Sequence, residues 1–68
     1  MTPKEQDALE SLIDTCGLYS VLDVLSGLCG LKAEHLRLQW QDENTAQAWE
    51  RAESALNKAA SQILDLAL

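Results

Sequence analysis

Residues 18–40, LYSVLDVLSGLCGLKAEHLRLQW, constrain the fold of this chain more than any other stretch. Drawn as a helix, the segment carries two apolar stripes. Leu18, Leu22, Leu25, Cys29, Ala33, Leu36 and Trp40 recur at threes and fours and form one. Val21, Val24, Leu28, Leu31, His35 and Leu38 form its neighbour. A helix at the surface of a globular protein needs a single stripe; a helix apolar on two sides requires cover on both. Two shorter flanking helices cover one face and part of the next, and the remainder calls for a partner.

The flanking segments read as those two helices. Thr2-Pro3-Lys4-Glu5 is a helix start, with Thr2 as cap, Pro3 at the first helical position and Glu5 closing a capping box. Leu9, Leu12, Ile13 and Cys16 give a narrow apolar stripe, and Gly17 is placed to end the helix in the left-handed conformation. The first helix is expected over 3–16. Leu18 and Tyr19 read as its connection to a second helix, capped by Ser20 and running over 20–40. Gly27 and Gly30 weaken that helix by about 1 kcal/mol each. The apolar phase is unbroken across them, which favours a continuous helix with the glycine pair admitting close contact. Asp42 or Asn44 caps a third helix over 44–66. Trp49, Ala52, Leu56, Ala59, Ile63 and Leu66 make its heptad-like seam, and Glu50, Arg51, Glu53, Asn57 and Lys58 its outer face. The expected fold is all-α: a small three-helix bundle around a long central helix, forming a single domain over 1–68 and completed by homodimerisation.

Size sharpens that expectation. A core built from 68 residues leaves only about 3–5 kcal/mol of net stability unless disulfides, a metal or oligomerisation add to it. Cys16 and Cys29 are too sparse for a disulfide framework, and the polar start MTPKEQDALE is no signal peptide. Both thiols are expected as small buried hydrophobes in a reducing cytoplasm. Asp23, Lys32, Glu34 and Arg37 interrupt the longest apolar run, so no membrane crossing is expected.

The net charge of −6 argues against nucleic acid and anionic membranes as partners. It fits a basic protein instead, with Glu5, Asp7, Glu10 and Asp14 on the first helix as the acidic face. The single histidine, His35, lies six residues from Cys29, and neither makes a zinc signature with Cys16. No metal, other cofactor or catalytic residue is assigned, and a bundle this small is expected to lack a pocket of about 300 Å³. The chain is therefore read as a non-enzyme. Glu34 is spaced to pair with Arg37. His35, Arg37 and Trp40 read either as an ordinary helix end, with His35 bonding across to the third helix and Trp40 beside Trp49, or as a partner-facing patch. For self-association the candidates are Val21, Val24, Leu28 and Leu31, with Leu64 and Leu68 at the apolar C-terminus. An exposed stripe of that kind exceeds the few hundred Å² of apolar patch that monomers tolerate.

Cys29, Lys32, Ala33, Glu34, His35 and Leu36, followed by Trp40-Gln41-Asp42 and by Ala46, Ala48, Trp49 and Glu50, form a further pattern. It resembles a group of short bacterial and phage proteins that share a Cys-x-x-Lys-Ala-Glu-His run and a Trp-Gln-Asp. The resemblance covers about a third of the chain and implies small size and a mobile-element origin, with no mechanism attached. Gly27 and Gly30 depart from the smooth central helix expected of that group. Two functions follow as expectations: a homodimeric interaction module, or an acidic inhibitor or nucleic-acid mimic that occupies a basic groove on a host protein.

Overall fold

The computed structural model describes residues 1–67. Among them are three α-helices: α1 (Pro3–Cys16), α2 (Leu18–His35) and α3 (Glu43–Asp65), with a π-helical turn, Leu36–Trp40, carrying α2 onward. The expected capping box opens α1. The Thr2 hydroxyl oxygen accepts the Glu5 N–H at 3.2 Å, and the Thr2 N–H donates to the Glu5 carboxylate at 2.9 Å. Those Thr2 bonds hold the Glu5 carboxyl below its usual pKa.

Gly17 ends α1 as expected, but in a different conformation. Its φ of 90° is open to glycine, while its ψ of 152° is extended rather than left-handed helical. The Gly17 N–H closes α1 on the Ile13 carbonyl at 2.8 Å, and its own carbonyl receives the Val21 N–H at 3.3 Å. One residue thus caps two helices. Leu18 and Tyr19 are helical rather than connecting, Ser20 is not the cap, and the chain turns through 118° at this corner.

The second helix is continuous through Gly27 and Gly30, as the apolar phase requires. Its last turn widens into the π form, and Gln41, at φ 52° and ψ 34°, closes it in the left-handed conformation. The Asp42 N–H returns to the Leu36 carbonyl at 3.1 Å. Asp42 then caps α3, accepting the Thr45 N–H at 3.1 Å, a bond that lowers its pKa. Only two residues separate the helical segments, so α3 runs back antiparallel along α2.

The closed bundle does not form. Among the described residues α1 packs on α2 alone and makes no contact with α3. The molecule measures 37 × 30 × 14 Å, and 14 Å is little more than one helix with its side chains. A single layer of helices cannot enclose large side chains. The buried residues are accordingly small: Ser26, Cys29 and Ala33 on α2, Ala46 and Ala60 on α3. Of the expected α3 seam, Trp49, Ala52, Leu56, Ala59 and Ile63 are half-buried and Leu66 is exposed.

Polar bonds set the register of this hairpin. The buried Ser26 hydroxyl donates to Asn57 Oδ1 at 2.7 Å and lies 3.2 Å from the Glu53 carbonyl oxygen. Gly30 faces the Glu53 carboxylate so closely that a Cβ would collide with it, whereas Gly27 opens on empty space. Only one glycine of the pair is therefore at the helix contact. Glu53 and Asn57 border the α2 interface rather than lying wholly on an outer face.

Candidate interaction surface

The face of α2 turned away from α3 is the second stripe. Val24, Leu28, Leu31 and Leu38 are 61%, 49%, 62% and 71% exposed, while Val21 is half-buried. Its angular position explains this. Ser26, Cys29 and Ala33 point at α3, so side chains half a turn away point outward. The first stripe lies closer to the contact: Leu18, Leu22 and Leu36 are half-buried, Cys29 and Ala33 buried.

Over the N-terminal half of that outer face leans α1. Leu9 packs inward, while Leu12 and Ile13 remain substantially exposed. Because no third layer closes over the corner, an open trough of about 340 Å³ runs between the two helices, with Leu9, Leu12, Cys16, Val21, Val24 and Leu28 among its walls. This corrects the expectation that so small a chain lacks such a volume. Its lining contains no charged side chain. Cys16, expected to be buried, is exposed at the trough, and Cys29 alone is a buried thiol. Farther along α2, where α1 does not reach, Leu28, Leu31, Lys32 and His35 frame a shallower depression of about 260 Å³.

The C-terminal residues of the second helix divide between two sides. Arg37 turns to α3, where Nε donates to Glu43 Oε2 and Nη2 to Glu43 Oε1, both at 2.9 Å, and Nη2 also meets Glu50. Glu43 and Glu50, rather than Glu34, are its ion-pair partners. These bonds, Glu43 first, raise the guanidinium pKa further, and Arg37 in turn holds the Glu43 carboxyl below its usual value. His35 lies on the outer side with Leu28 and Leu31, not against α3. Trp40 is 70% exposed. His35 and Arg37 thus sit on opposite sides of the helix, and the three residues do not converge.

Leu64 is 59% exposed near the end of α3, and Leu68 lies outside the described residues. Glu5, Asp7, Glu10 and Asp14 are all exposed on α1, Glu5 being engaged in the cap. Among the described residues the ion pairs are those of Arg37, so Asp7, Glu10 and Asp14 carry unpaired charge. No group of three or more His, Cys, Asp or Glu side chains comes together there in a metal-binding arrangement. Among the described residues no single helix is long and apolar enough to cross a membrane.

Sequence reasoning missed the Ser26–Asn57 bond and the trough. A signal for the first was present: Ser26, Cys29, Gly30 and Ala33 are small residues at threes and fours, a stripe of its own between the leucines. The trough depends on the angle at which α1 leaves the Gly17 corner, which has no local signature. Comparison with protein-family models, curated proteins and solved structures finds no match to this chain.

Proposed function

We propose that this chain is a small acidic protein–protein interaction module that works as a homodimer and performs no catalysis of its own. One observation carries the reading: a contiguous outer face of α2 presents Val24, Leu28 and Leu31 about half to two-thirds exposed. Covering such side chains is worth on the order of 1 kcal/mol or more apiece, and a second copy of the same face is the simplest cover. Val21 extends that face, and Leu64 adds a separate exposed apolar side chain on α3. A reducing cytoplasm suits the two free thiols.

The test is sedimentation equilibrium of the wild type and Leu28→Glu. The variant places a charge in the contact and should weaken dimerisation by at least about a hundredfold while keeping its helicity. An unchanged dimer mass would refute the reading. A second reading rests on Asp7, Glu10 and Asp14, which stand exposed and unpaired on α1: capture of a basic host protein by an acidic inhibitor, in keeping with a phage-like origin. Salt separates the two. Apolar association survives 0.5 M salt, where the Debye length is only about 4 Å, and charge capture does not.

A further inference from the structure

The chain exposes more surface than its mass warrants. A compact monomer of 7.5 kDa exposes about 4,250 Å² by the usual scaling, whereas this one exposes 5284 Å². The excess, about 1,000 Å², is close to the roughly 800 Å² that one partner contributes to a standard interface. It is an area suited to a second copy rather than to a small ligand.

The outer face of α2 also changes along its length. Its N-terminal half is a trough, walled on one side by α1 through Leu12 and Cys16. Its C-terminal half, which α1 leaves uncovered, carries Leu31 and Leu38, 62% and 71% exposed, as a ridge at the edge of the shallower depression that Leu31 frames with Leu28, Lys32 and His35. We infer that the ridge of each copy seats in the trough of the other, about a twofold axis crossing α2 between Val24 and Leu28. This inference rests on the homodimer reading and names its contact. A half-turn about such an axis exchanges the two ends of α2, so each ridge meets a trough and the contact is made twice. No charged group lines the trough, so seating leucines there leaves no ion desolvated.

Cys16 reports on this contact directly, because Cys29 is buried and Cys16 is the exposed thiol. The full chain is alkylated with N-ethylmaleimide across a dilution series whose mass is followed by light scattering, with Leu31→Asp supplying the rate of a monomer. Leu31 and Leu12 are 62% and 51% exposed, so polar substitution there leaves the fold of one chain intact. Cys16 should react at least about tenfold more slowly in the dimer than in the Leu31→Asp monomer. Leu12→Asp should weaken the dimer as Leu31→Asp does. A dimer in which Cys16 reacts at the monomer's rate, or which tolerates Leu12→Asp, overturns the ridge-in-trough contact and leaves the homodimer standing. A wild type that is monomeric at every concentration overturns both.

Discussion

The two junctions of α2 are built in opposite ways. Against α3 it presents Ser26, Cys29, Gly30 and Ala33, and the helices close on one another with a polar bond at the seam. Against α1 it presents Val21, Val24 and Leu28, and the helices stay apart around an open trough. Small side chains let backbones approach and fill the gap themselves, whereas large ones hold them apart and need a third surface to finish the packing. The chain therefore folds on its small residues and shows its large ones. In an ordinary small domain the leucines would be inside.

That contrast should break most severely at the hairpin. Ala60 is 4% exposed, and Ala60→Leu inserts methylene groups where there is no room. The expected loss is about 1–3 kcal/mol, read as a lowered thermal midpoint. Leu12→Ala at the corner should barely alter the stability of an isolated chain, since Leu12 has little to lose there. Equal effects of the two would mean that the junctions do not differ.

Next in size is the corner itself. An added Cβ at Gly17 meets nothing within 4 Å, so space does not require the glycine. Its φ of 90° with ψ of 152° does. Gly17→Ala should cost about 1–3 kcal/mol or shift α1 off α2. Circular dichroism melts, with the alkylation rate of Cys16 as a local reporter, decide it; an unchanged midpoint and rate would mean that another residue sets the turn.

How much of this was legible beforehand follows from range. The Thr2–Glu5 box, Pro3 and the Asp42 cap act within one turn, and reading residues at their spacing located the helix ends. The start of α2 was misplaced because Gly17 serves two helices at once, and no composition rule marks a linker of a single residue. Spacing on one helix allows Arg37 a pair with Glu34. Its actual partners, Glu43 and Glu50, come within reach only after the Gln41-Asp42 reversal. The candidate surface was legible as a second apolar stripe, but its trough was not, since that depends on the angle at which α1 leaves the corner.

The smallest predicted effect is acid sensitivity. The carboxyls of Glu5, Asp42 and Glu43 have lowered pKa values in the folded chain, through Thr2, Thr45 and Arg37 respectively. The folded state therefore binds fewer protons than the unfolded one. Their stabilisation is complete above the ordinary carboxylate range of about 4 and is lost as pH falls through the lowered values. Glu5 and Glu43 are exposed and Asp42 is half-buried at the surface, so the effect is modest. The thermal midpoint should decline as pH falls below the ordinary carboxylate range, and Glu43→Gln should flatten part of the decline. Two of the three groups belong to the hairpin, so a decline confined to α1 would contradict the assignment.

The amino-acid order by itself determined that this chain is helical, where most of its helices begin and end, and that α2 holds more apolar surface than its two neighbouring helices cover. Capping, glycine placement and periodicity are local, and local energies suffice for them. Which face of α2 is buried was decided only by tertiary structure. The leucine stripes and the small-residue stripe share one period, so periodicity cannot rank them. The ranking came from the antiparallel meeting of Ser26 and Gly30 with Asn57 and Glu53. Close approach on that line brings two backbones together along their length, and it left the leucines facing outward.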